Sequence, residues 1–121
     1  MRILIVDDSS TMRNFLAAIV AEFGADVEQA QDGLAALEKL ASSPSFDLAL
    51  VDWDMPRMTG IEFVRAVRAR SGYGGLKLMM VTSHNGIEDV RGALSSGADD
   101  FLMKPFDAEM VGDKLRLLGL M

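Results

Sequence analysis

The chain has no cysteine among its 121 residues. Disulfide frameworks, thiolate metal sites and cysteine nucleophiles are therefore excluded, and a reducing cytoplasm suits the composition. Basic residues are the minority: 12 lysines and arginines against 18 acids leave a net charge of -6. That balance repels nucleic-acid phosphates and anionic membrane surfaces, so neither is expected as a partner. No apolar run approaches the ~18 residues of a membrane span, and Met1-Arg2-Ile3-Leu4-Ile5-Val6-Asp7-Asp8 turns acidic too soon for a signal peptide. There are only three prolines, and no low-complexity stretch or long linker divides the chain. A soluble, cytoplasmic protein is expected, with residues 1–121 forming a single domain, since domains commonly run ~100–150 residues.

What the sequence does have is alternation. Short apolar runs of strand length are each followed by a segment of helical period. Ile3-Leu4-Ile5-Val6 ends abruptly in Asp7-Asp8. Ser9 and Ser10 are candidate N-caps for a helix carrying Met12, Phe15, Leu16, Ile19, Val20 and Phe23, with Gly24 as its stop. A weaker strand at Asp26–Ala30 precedes a helix over Gly33–Leu40 with Leu34, Leu37 and Leu40. The chain then breaks at Ser42-Ser43-Pro44-Ser45. Leu48–Val51 is the third strand and ends in Asp52, and a helix with Ile61, Val64 and Val67 follows. Leu78–Val81 ends in Thr82-Ser83-His84 and leads to a helix with Ile87, Val90 and Leu94. Phe101–Met103 ends in Lys104-Pro105 before a last helix with Val111, Leu115 and Leu118.

This is βα five times over. Strands apolar on both faces imply a parallel sheet covered by helices on each side. Ligands of such α/β folds bind at the carboxyl ends of the strands. Asp7, Asp8, Asp52, Thr82 and Lys104 all fall there, on four different strands. Acids in that position could merely cap the following helices. Three carboxylates facing one lysine, however, raise one another's proton affinity and call for a cation. Magnesium suits an oxygen-only donor set. A carboxylate held beside magnesium and an ammonium group is equipped to attack phosphorus. Asp52 is the expected nucleophile, with Thr82 or Ser83 supplying a hydroxyl to the product. Met79, Met80 and Met103 read as core filler.

The matching pieces Ile3–Ser9, Asp32-Gly33, Asp52-Trp53-Asp54-Met55-Pro56-Arg57-Met58-Thr59-Gly60, Val81-Thr82, Ser96-Gly97-Ala98-Asp99 and Lys104-Pro105-Phe106 lie in order over essentially the whole chain. With them the sequence resembles the receiver domain of two-component response regulators, most closely the stand-alone CheY-like chemotaxis type. The resemblance implies a flavodoxin-like (βα)5 fold with strand order 2-1-3-4-5. It makes Asp52 the phosphoacceptor, Asp8 a direct magnesium ligand, Asp7 a ligand acting mainly through water, and the backbone carbonyl of Asp54 a further ligand. Thr82 becomes the switch hydroxyl, Lys104 the lysine that pairs with the phosphoryl group, and Phe101 the switch aromatic. Lys104-Pro105 is expected to be a cis peptide. Asp54 and His84 occupy positions where the family varies and are expected to flank the phosphoryl group as modulators, although a lone loop histidine is commonly just solvated. The implied partners are a histidine kinase as donor and a downstream protein bound on the face of the fourth helix, fifth strand and fifth helix. Turnover of an external substrate is not expected. No output domain is expected after Leu118-Gly119-Leu120-Met121, unless the chain is a receiver cut from a longer protein.

Three rivals remain open on the residues alone. A haloacid-dehalogenase-like phosphohydrolase would use Asp52 and Asp54 as nucleophile and acid/base, leaving Asp7-Asp8 without a role. A flavin or nucleotide binder would share the architecture, yet no phosphate-binding glycine loop follows a strand. A partner-binding domain that is never phosphorylated would not need the full acid set.

Overall fold

The computed structural model describes residues 1–43 and 45–121; the expected break at Ser42–Ser45 therefore lies partly outside the described residues, at Pro44. The elements alternate as the apolar runs require. They are β1 (Arg2–Val6), α1 (Ser10–Glu22), β2 (Asp26–Ala30), α2 (Gly33–Ser42), β3 (Leu48–Asp52), α3 (Gly60–Arg68), β4 (Lys77–Thr82), α4 (Ile87–Ser96), β5 (Asp100–Met103) and α5 (Ala108–Leu117). The five strands form one parallel sheet in the order β2-β1-β3-β4-β5, a flavodoxin-like arrangement with helices on both faces.

Alternate strand residues feed two cores. Leu4, Val6, Ala49, Val51, Leu78 and Met80 pack with α2, α3 and α4 on one face. Ile3, Ile5, Leu48, Leu50, Met79 and Val81 pack with α1 and α5 on the other. Each such side chain larger than alanine contributes roughly 1.5–3 kcal/mol when fully buried, and most of that burial falls on the central strands β1, β3 and β4.

The helical stripes are wider than the faces they bury. Phe15, expected in the apolar set of α1, is half exposed and rests against Phe106 with ring centroids 5.8 Å apart. The sheet has room beneath α1 only for Leu16, Ile19 and Val20. On α4, Ile87 and Leu94 are exposed and Ala93 alone is buried, because β5 is a four-residue edge strand that offers little surface to cover. Leu34 of α2 is exposed too, and Met103 is only half-buried rather than core filler.

Candidate functional site

Sheet register sets the rim. Val6 pairs with Val51, so Asp7, one residue past β1, is level with Asp52, the last residue of β3. Asp52 pairs with Val81 and Thr82 with Met103, so Thr82 and then Lys104 stand one and two steps beyond. Main-chain bonds fix this staircase: the Lys104 amide donates to the Thr82 carbonyl at 2.9 Å, and the Asp7 amide to the Ala30 carbonyl at 3.1 Å.

The acids are not spent on helix capping. Ser9 caps α1, its hydroxyl accepting from the Met12 amide at 3.2 Å. Thr59 caps α3, accepting from the Glu62 amide while the Glu62 carboxylate accepts from the Thr59 amide. Asp7 fastens its own turn by accepting from the Ser9 amide at 2.8 Å, and Arg13 donates to the Asp7 carbonyl at 2.7 Å. The carboxylates of Asp8 and Asp52 are left to the rim.

Asp7, Asp8 and Asp52 each offer an oxygen, all within 4.8 Å of one another. Asp7 and Asp52 are buried, Asp8 exposed. Lys104 Nζ lies 3.5 Å from Asp52 Oδ1, so one cation faces three acids. Burial, followed by the charge of Asp7, pushes the Asp52 carboxyl up to about 6, against the pull of Lys104. Burial likewise raises Asp7 despite the Ser9 amide. Such a set fits a hard divalent ion like magnesium: its donors are oxygens only, two are sunk beside the core, and their charge is under-compensated.

The remaining expected residues sit as follows. Thr82 is buried, and its hydroxyl oxygen accepts from the His84 amide at 2.8 Å. Lys104-Pro105 is cis. Phe101 is not at the rim end of β5: it is the strand's second residue, paired with Met80, and half-buried against the α3–α4 side. It therefore shares a sheet face with Thr82 two residues back, which is still the diagonal reach of an aromatic ring. The side chain of Asp54 is mostly exposed and points to His84, at 3.0 Å from Nε2, an arrangement unlike an acid/base serving Asp52. His84 is no merely solvated loop residue, since its ring also stacks on Trp53 at 4.8 Å and lies 3.6 Å from Asp89. The Asp54 hydrogen bond is the main cause of the raised His84 pKa.

Trp53, Asp89 and Lys114 escaped the sequence reading. Lys114 Nζ lies 5.2 Å over the Phe101 ring and 2.9 Å from Asp100. Asp89 sits in the first turn of α4, three residues after a glycine N-cap, a signal that a carboxylate there faces the preceding loop. Nothing local marked Lys114, whose contact is made across the fold. Arg57 is a further surprise: it holds a left-handed conformation (φ 68°) and lies 3.6 Å from Asp32, the N-cap of α2.

Comparison with known proteins places the whole chain. The profile of the response regulator receiver domain matches residues 3–116. Chemotaxis protein CheY1 of Helicobacter pylori is 34% identical over 119 residues, covering 98% of this chain and 96% of that protein. Chemotaxis protein CheY of Pseudomonas aeruginosa is 39% identical over 116 residues, covering 95% and 93%. The structure of Vibrio cholerae chemotaxis protein CheY4 superposes with a TM-score of 0.91 at 36% identity, covering 97% of each chain.

Proposed function

Because the chain belongs to the response regulator receiver family, a family of signalling proteins and not of metabolic enzymes, we propose that it takes a phosphoryl group from a histidine kinase onto Asp52. The observation that carries this is the buried Asp52 carboxylate set between Asp7, Asp8 and the Lys104 ammonium. With its pKa near 6, Asp52 is ionised at neutral pH yet poorly stabilised, so its oxygen is a willing nucleophile. That oxygen attacks the phosphorus of a phosphohistidine; the new O–P bond forms as the N–P bond breaks, and the electron pair leaves with the imidazole. The product is an acyl phosphate.

Magnesium, when bound, supplies charge neutralisation for the phosphoryl oxygens. Asp8 and Asp52 would hold it directly, Asp7 mainly through water, and the Asp54 carbonyl would complete the protein ligands. Lys104, already 3.5 Å from Asp52, pairs with the added charge. Thr82 turns its hydroxyl toward the new oxygens, giving up the His84 amide. Phe101 follows into the space vacated on their common face, because close-packed cores tolerate few voids. The outcome is a shift between populations that already coexist.

The signal leaves through the α4–β5–α5 face. There Ile87, Leu94, Met110 and Leu117 are exposed, an apolar set suited to a protein target. The relatives named above are chemotaxis proteins, and control of chemotaxis or motility is the pathway we assign. The kinase and this target are the partners; nucleic acid and membrane are not, given the acidic surface. Among the described residues no helix is long and apolar enough to cross a membrane, and we place the protein in the cytoplasm. The test is uptake of phosphoryl label from acetyl phosphate. Label should require magnesium and be absent from Asp52→Asn; equal labelling of that variant would overturn the assignment.

A further inference from the structure

The two ends of α4 are fastened very differently. Its C-terminal end is tied to α3: Arg68 Nε donates to the Gly97 carbonyl at 2.9 Å, and Arg65 Nε to Ser96 Oγ at 3.2 Å. Gly97 is left-handed (φ 118°), and Arg68 fills the space where a Cβ would project. Arg68 also holds Asp99 at 2.8 Å and the Tyr73 carbonyl at 2.9 Å, so this corner is a fixed pivot. The N-terminal end has none of this. Its N-cap, Gly86, offers no side-chain cap, its first residue, Ile87, is 71% exposed, and the helix buries only Ala93.

One side chain reaches that loose end from the acidic rim. The His84 ring lies flat on Trp53, the residue after the phosphoacceptor, with an interplanar angle of 24°. Its Nε2 is 3.0 Å from Asp54 Oδ2, and its Nδ1 is 3.6 Å from Asp89 Oδ2 in the first turn of α4. Its own amide donates to the Thr82 hydroxyl. His84 thus touches the β3–α3 loop, the end of β4 and the start of α4 together.

We propose that His84 is a positioning residue: a strut that holds the first turn of α4 against the Trp53-Asp54 loop and lets go when Thr82 turns to the phosphoryl group. The second half rests on the function proposed above; the first half does not. Rotation of the Thr82 hydroxyl removes the partner of the His84 amide, and the strut then loses its footing. With the Arg68 corner fixed, α4 swings from its N-terminal end, carrying Ile87 with it. The consequence is a second route from the rim to the α4–β5–α5 face, independent of the Phe101 ring.

Amide hydrogen exchange on the full chain tests both halves. The Val90 amide donates to the Gly86 carbonyl, the first bond of α4, whereas the Ala98 amide donates to Ala93 at the pivot. In metal-free protein, His84→Ala and Asp89→Ala should each speed Val90 exchange about two- to fivefold, the range for a partly exposed ion pair. The double variant should be no faster than either single one, since both remove one contact. Ala98 should be unaffected. Unchanged Val90 exchange in His84→Ala, additive effects in the double variant, or equal loosening at Ala98 would overturn the strut. Beryllofluoride with magnesium then serves as the phosphoryl mimic. It should speed Val90 in the parent and add nothing in His84→Ala. If the mimic changes Trp53 fluorescence but leaves Val90 exchange alone, the release step is wrong. If it does not bind at all, the phosphoacceptor reading fails, and the variant comparison still judges the strut.

Discussion

Replacing Asp52 by Asn should stabilise the metal-free protein and, on the function proposed above, should also abolish phosphorylation. The Asp52 carboxyl is raised from 3.8 to about 6, about two pH units. At about 1.36 kcal/mol per unit, the ionised group costs the fold on the order of 3 kcal/mol at pH 8. Because the folded pKa is the higher one, the folded chain binds more protons than the unfolded chain between these two values. Stability from this group therefore falls as pH rises through the window and stays low above it. Asparagine never ionises, so Asp52→Asn should be more stable than the parent by about 1–3 kcal/mol at pH 8, a melting-temperature rise of roughly 4–12 °C. The advantage should shrink to about a third of its pH 8 value near pH 4.5. Urea unfolding followed by Trp53 fluorescence, in chelator, measures it. Magnesium should narrow the gap at pH 8, by about 1.4 kcal/mol at tenfold over its dissociation constant, since it binds the folded parent. A variant no more stable than the parent, or a gap that ignores pH, would refute the reasoning.

Asp8→Ala should remove most magnesium binding, read as the loss of the Trp53 fluorescence titration. Lys104→Ala takes away the cation that lowers Asp52, so carboxyl NMR should show Asp52 titrating above about 6 while the acceptor itself survives. Thr82→Ala should still bind beryllofluoride yet transmit smaller shifts to Phe101 and to α4, β5 and α5; undiminished shifts would exclude the threonine. Gly60→Ala should cost more than ~2 kcal/mol of stability, because its Cβ would overlap the Asp52 carbonyl oxygen and sit 3.0 Å from Trp53 Cα, both backbone atoms that cannot step aside.

The order of elements could be read from the sequence because four of the strands are apolar runs that give way to a polar residue, while the weaker β2 follows from its place between two helical stripes. β1 and β3 stop at Asp7 and Asp52, and the register then makes these two neighbours. The acids, Thr82 and Lys104 were legible for the same reason: a chain-local signal, the end of a strand, decides their place. Helix burial was harder to read. The stripe containing Phe15 is a correct helical pattern, but the width of sheet beneath α1 decides which residues go under, and no local period reports that. Phe101 opens the apolar run read as the last strand, but β5 begins one residue earlier, at Asp100, because strand starts carry weaker signals than strand ends here. The contacts of His84 and Lys114 join loops and helices far apart in the chain, so residue type alone could suggest chemistry but not a partner.

The central claim is that the phosphoryl group lands on Asp52. An acyl phosphate can be trapped by borohydride, which reduces the activated carboxyl to an alcohol and leaves ordinary carboxylates alone. After treatment with acetyl phosphate and magnesium, peptide mass spectrometry should find homoserine at position 52 and nowhere else, and none without magnesium. Homoserine at Asp54, a stable phosphoryl group on His84, or no modified residue at all would contradict the account.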